Sequence, residues 1–153
     1  MHPLLEELHQ YHSDISVTIH QLQTLLDQVK QYDAQQTDCS EIFTLLKSLR
    51  SPEEQKHHRN EEIIRKKLMD TEAPIHQRVE EIAHDHQGLS RITGQLINLE
   101  TSDTSAREIS VFIEDYLDKY FDHMQGEEAI FFPMADKWLT EQQWQEVQSS
   151  WQR

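Results

Sequence analysis

A histidine and a glutamate four residues apart occur twice in this chain, as His57 and Glu61 within HHRNEEII and as His123 and Glu127 within HMQGEEAIFFP. Four residues make about one helical turn, so each pair presents both side chains on one face of a helix. Imidazole nitrogen and carboxylate oxygen are both good ligands for iron, manganese or zinc. A single such pair is commonplace on a solvated helix and by itself implies nothing more than a surface contact. Its repetition is the stronger constraint. Two metal-type pairs ask for two more helices to complete a site between them.

The rest of the chain supplies helices. Only 3 glycines and 4 prolines interrupt 153 residues, and long stretches of Glu, Gln, Leu, Ile and Lys favour helix. The length fits one domain, residues 1–153, able to bury its own core. With 14 Lys plus Arg against 28 Asp plus Glu, the net charge of −14 argues against a nucleic-acid partner, which needs clustered cations. One cysteine, Cys39, excludes an internal disulfide and a thiolate cluster site. Its polar surroundings mark it as an incidental loop residue. No basic stretch followed by an apolar run opens the sequence, and no apolar run is long enough for a membrane span. The expectation is a soluble cytoplasmic protein.

Leu5, Leu8, His12, Ile15, Ile19, Leu22, Leu26 and Val29 recur at the helical period and predict a first helix over roughly 4–33. His12 lies inside that stripe; a lone histidine there is often a satisfied core residue, so its partners decide its role. His9 and His20 fall toward the flank. Ser40 is positioned to cap a second helix carrying Ile42, Leu45, Leu46 and Leu49. Ser51-Pro52-Glu53-Glu54 then reads as a fresh helix start, so a break or kink is expected between Arg50 and Pro52 and helix to about Asp70. Positions 57, 61, 64 and 68 hold His, Glu, Ile and Leu, whereas 58, 62, 65 and 69 hold His, Glu, Arg and Met. The first register keeps an apolar face, so His57 and Glu61 are expected inward in preference to His58 and Glu62.

Pro74 is expected to open a third helix with Ile75, Val79, Ile82, Ala83, His86, Leu89, Thr93, Leu96 and Ile97 on its inner side. His84 falls on the opposite side, and Asp85 reads as a surface charge. The fourth helix carries Ile109, Phe112, Ile113, Tyr116, Tyr120, His123, Glu127, Ile130, Phe131 and Met134 on one face, until Pro133 kinks or ends it. Tyr116 and Tyr120 precede His123 by two turns and one turn, and a buried phenol needs a hydrogen-bond partner, so either could support the site. Thr140 to Gln143 is a capping box before a short fifth helix with Trp144, Val147 and Trp151, read as a lid on the bundle.

The fold expected is therefore all-α: an up-down-up-down four-helix bundle with a short C-terminal helix. Its inner stripes contain one His, a His/Glu pair, one His and a second His/Glu pair. Four imidazoles and two carboxylates in a helical core are costly unless a network or a cation neutralises them. The number of ligands suggests two ions. Two six-coordinate irons need about 12 bonds, of which four imidazoles give about four, two bridging carboxylates about four and a shared oxo or hydroxo group about two. About one open position remains on each metal. Without cysteine ligands a structural zinc site is disfavoured.

These features resemble the hemerythrin-like family, whose cation-binding modules carry two His-x-x-x-Glu pairs on their second and fourth helices. The resemblance runs from about Leu4 to Trp138. The segment His123 to Pro133 is similar to the family's most distinctive signature, Asp85-His86 with Leu89 to the third-helix motif, and Tyr11-His12 with Ile15 to the first. The second-helix copy departs from it, with Arg65-Lys66-Lys67 where the fourth helix has Phe131-Phe132-Pro133. The resemblance implies that His12, His57, Glu61, His86, His123 and Glu127 are ligands of two non-haem iron ions. Oxygen-carrying members have a fifth histidine, from a pair four apart on the third helix; here Ile82 and Ser90 stand at those distances from His86. The four-His, two-Glu set is similar to the iron–sulfur cluster repair proteins, which usually carry an additional cysteine-containing domain. The implied function is binding or sensing of a diatomic ligand, oxygen or nitric oxide, in oxidative or nitrosative stress. The alternatives are a di-iron enzyme or iron donor handling peroxide, nitric oxide or damaged clusters, and a metal-free helical interaction module.

Overall fold

The computed structural model describes residues 1–31 and 39–153. Every regular element among them is helical. Helix α1 runs Pro3–Gln31, α2 Ser40–Ser48, α3 Pro52–Met69, α4 Gln77–Ile97, α5 Ala106–Gly126, α6 Phe132–Trp138 and α7 Glu141–Ser150. The expected end of the first helix, at residues 32 and 33, lies outside the described residues. Helices α2 and α3 form one arm, broken at Leu49–Ser51, and α5 and α6 form another. With α1 and α4 these make four arms.

Helix boundaries follow their caps. Ser51 accepts a hydrogen bond from the Glu54 amide at 3.2 Å, and Pro52 follows it where its missing N–H costs nothing. The capping box closes α7 in both directions: Gln143 N donates to Thr140 Oγ1 at 3.3 Å and Thr140 N donates to Gln143 Oε1 at 2.9 Å. Two starts differ from expectation. The second helix is flanked by Cys39, whose carbonyl already accepts from Phe43 N at 3.1 Å, so Ser40 is its first residue and not its cap. The third long helix starts after His76, not at Pro74: His76 is extended and its Nδ1 accepts from Arg78 N at 3.0 Å. An imidazole there does what Ser or Asp usually does.

Pro133 does not end the fourth arm. It stands in the first turn of α6, and the preceding Glu127–Phe131 is wound as a wider π-turn. Proline has no N–H to give an α-helical partner four residues back, and a widened turn ahead of it accommodates that loss. Phe112 also departs from expectation: it is half exposed, because α5 buries the narrower stripe Ile109, Ile113, Tyr116, Leu117 and Tyr120.

The apolar core is divided. One block gathers Ile15 to Val29 of α1, Ile42 to Leu49 of the second arm, Leu89 and Leu96 of α4, and Ile109 to Met124 of α5. The other gathers Leu4, Leu5 and Leu8, then Ile64 and Leu68, then Val79 and Ile82, then Phe131, Phe132 and Ala135, closed by Trp144, Val147 and Trp151. Each successive arm passes between the blocks in the opposite sense, which makes the topology up-down-up-down. Between the blocks every arm must cross one layer, and that layer is polar: His12 follows Leu8, Glu61 precedes Ile64, His86 separates Ile82 from Leu89, and Glu127 separates Met124 from Phe131.

The far face of the layer is tied down from the C-terminus. Gln152 and Asn60 exchange two hydrogen bonds, of 2.9 and 3.0 Å, and Trp151 Nε1 donates to Glu7 Oε2 at 3.1 Å. Asn60 immediately precedes Glu61, so this clamp holds α3 and α1 together at the depth of the layer.

Candidate metal centre

His12, His57, Glu61, His86, His123 and Glu127 are all buried and all meet in this layer. Glu61 reaches in two directions. Its Oε1 lies 2.7 Å from His57 Nε2 and 3.3 Å from His12 Nε2, while its Oε2 lies 3.0 Å from His86 Nε2. Glu127 does the same from the opposite arm: Oε2 lies 3.1 Å from His12 Nε2, and Oε1 lies 2.9 Å from His123 Nε2 and 3.2 Å from His86 Nε2. Each carboxylate therefore offers one oxygen towards His12 and another towards His86.

These separations test whether a cation fits. Two donors about 2.1 Å from one metal and at right angles to each other lie about 3 Å apart. His12 Nε2 and His57 Nε2 are 3.1 Å apart. Moreover, both oxygens of Glu61, Oε2 of Glu127 and Nε2 of His123 are buried without a well-formed hydrogen bond, despite neighbours at such short range. Buried polar atoms in a folded protein are almost always paired. Here the donor atoms are aimed at common points in place of one another. Two groups result, each with its donor atoms within 4.8 Å of one another: His12, His57, Glu61 and Glu127, and His58, Glu61, His86 and His123.

A family model described as the hemerythrin HHE cation binding domain matches residues 4–135. The chain belongs to this family. Hemerythrin HHE domains bind a metal cation, and this one has His/Glu groups able to hold it. Neither a curated protein nor a solved structure matches the chain.

Around the hemerythrin layer stands a ring of supporting groups. His12 Nδ1 is 2.7 Å from Glu128 Oε1, and Glu128 Oε2 is 2.9 Å from His9 Nδ1. His123 Nδ1 is 3.3 Å from Asp85 Oδ2, so Asp85 is not the free surface charge expected of it. A carboxylate on the outer nitrogen fixes the tautomer and orientation of an imidazole whose inner nitrogen faces a metal. Phe132 stacks on His12 with centroids 5.4 Å apart, and Tyr11 stacks on His57 at 4.1 Å. Asp85 and Glu128 each adjoin a candidate ligand in sequence. Adjacent residues on a helix point about 100° apart, so a side chain next to an inward one reaches the neighbouring arm instead of solvent. That adjacency was the available signal.

His58 departs most from the expected register. It is largely buried and stacks on His86 with centroids 4.1 Å apart and planes within 11°. The α3 face is wide enough for both neighbours: His57 turns towards α1, His58 towards α4. His58 Nε2 is 3.0 Å from Oε1 of the buried Glu54, which also accepts hydrogen bonds from the Tyr11 and Tyr120 hydroxyls. Tyr120 thus reaches the layer through Glu54, whereas the Tyr116 hydroxyl lies 2.7 Å from Thr93 Oγ1. His84 is exposed, as expected.

The electrostatics follow from this crowding. Burial alone would lower the pKa of His12, but the close carboxylates of Glu127, Glu128 and Glu61 outweigh it and raise the value to about 12. Burial is likewise overcome at His123, raised to about 10 by the nearby Glu127 and Asp85 carboxylates, and at His86, raised to about 9 by those of Glu127 and Glu61. Burial would push the Glu61 carboxyl up, yet His57, His12 and His86 hold it well below the usual range. Burial and the Glu61 charge oppose ionisation of Glu127, and His123 and His12 overcome both. Without a cation, protons on the imidazoles balance the carboxylates. A metal would compete for the same lone pairs and release those protons.

Proposed function

We propose that this chain is a non-haem di-iron protein whose centre binds a small diatomic ligand, oxygen or nitric oxide, in a response to oxidative or nitrosative stress. The reading rests most on one observation: Glu61 and Glu127 each turn one oxygen to the His12 side of the layer and the other to the His86 side. On this reading His12 and His57 hold one ion, His86 and His123 hold the other, and the two carboxylates span them. Nitrogen and oxygen donors without thiolate suit iron and disfavour a structural zinc site. Such an ion pair supplies redox activity and room for a small ligand.

The chain's own residues make that centre selective. The two apolar blocks exclude water from both ends of the layer, and Glu128 and Asp85 hold the His12 and His123 rings in place. A groove of about 520 Å³ between α1 and α5 ends at His12 and Glu128, and Phe121, Met124 and Ala129 give it an apolar wall. A neutral diatomic molecule is suited to such a path. On the same reading residues 1–153 act as one domain, with α7 as the lid of the bundle.

The test is an anaerobic titration of the ferrous-loaded chain with nitric oxide, followed optically. A spectral change that saturates in proportion to bound iron is expected. No change on addition of nitric oxide or oxygen overturns the reading, and repeated turnover of peroxide moves it to the enzyme class.

A further inference from the structure

We propose that His58 is a further metal ligand of this centre, making its second position a three-imidazole site with His86 and His123. The inference rests on the di-iron reading above and adds a residue that neither the repeated His/Glu pairs nor the third-helix spacing selects. His58 contributes a donor atom to the group formed with Glu61, His86 and His123, all within 4.8 Å of one another. Donors around one ion lie about 3 Å apart when adjacent and about 4.2 Å apart when opposite, so a contraction of about half an ångström closes this group on an ion.

The ring is held where a ligand is needed. Glu54 is 2% exposed and takes one nitrogen of His58 at 3.0 Å, while the hydroxyls of Tyr11 and Tyr120 donate to the same carboxylate. Burying a carboxylate at this depth is costly, and a salt bridge to a single histidine need not repay that cost. As an orienting group for a metal-bound imidazole, Glu54 has the role that Asp85 has towards His123 and Glu128 towards His12. The parallel stack of His58 on His86 fits as well.

The two positions then differ. One has His12 and His57, the other His58, His86 and His123, with the carboxylates spanning both. The fifth imidazole comes from α3, one residue beyond His57, and not from the α4 positions occupied by Ile82 and Ser90.

The experiment is anaerobic titration of the metal-free chain with cobalt(II), read by d–d absorption and by competition with a chromophoric chelator. His58→Gln keeps an N–H for Glu54 but is a poor ligand, so it separates ligation from packing. The wild type should take up two equivalents. His58→Gln should bind one of them at least about tenfold more weakly and with an altered d–d spectrum, while His84→Gln, at an exposed position, leaves that spectrum unchanged. His58→Ala, checked for its helix content by circular dichroism, should reproduce the His58→Gln result. Two equivalents bound by His58→Gln with wild-type affinity and spectrum would overturn the role of His58 and leave the di-iron reading standing. A wild-type chain that takes up no cobalt overturns the metal reading itself.

Discussion

Glu61→Ala should leave the centre unable to retain metal. Glu61 is fully buried and lies within 3.3 Å of His12, His57 and His86, so its loss removes one of the two carboxylates that reach both sides of the layer. Metal content by elemental analysis should fall to near zero in protein prepared under conditions that load the wild type. The metal-free chain should suffer too. His12 and His86 owe part of their raised pKa values to Glu61 and would face each other with that counter-charge removed. One-sided removal of a buried pair costs about 3–5 kcal/mol, and the lower end applies because imidazoles can shed their protons. A loss of about 3 kcal/mol corresponds to a melting temperature roughly 6–12 °C lower for a chain of this size. Full metal retention by Glu61→Ala contradicts the assignment of this carboxylate.

Phe132→Ala should give the opposite pattern, a large stability loss with metal retained. Phe132 is almost completely buried in the block that contains Trp144 and Phe131, and its ring lies against His12. Truncating a buried phenylalanine costs about 3–5 kcal/mol, through lost transfer free energy and an unfilled cavity. The melting temperature should drop by on the order of 10 °C. No donor atom is lost, so the metal-to-protein ratio of the folded variant should match the wild type. A melting temperature within about 2 °C of the wild type would show that the block repacks around the gap, and would remove Phe132 as a support of His12.

Periodicity was sufficient for the arms and for turning His12, His57, Glu61, His86, His123 and Glu127 inward, because a 3.6-residue repeat sets which side chains face the core. Their common depth was not legible in any single stripe. It follows from the division of the core into two blocks, which depends on where each arm begins and therefore on caps such as His76 that do not look like caps. The π-turn at Glu127 was hidden for a related reason: Pro133 signals an interrupted helix, but not whether the chain breaks, bends or widens. His58 and Asp85 were misplaced because register analysis divides a helix into inside and outside. In a four-arm bundle each helix faces two neighbours, so residues adjacent to a ligand often touch the next arm.

The central claim is that this layer holds two iron ions, and metal content tests it most directly. The wild-type chain should be produced in iron-replete medium, purified without chelators and analysed for iron, manganese and zinc against protein concentration. Close to two irons per chain are expected, with the other metals minor. A chain that remains folded with essentially no metal, or that carries a single zinc, contradicts it.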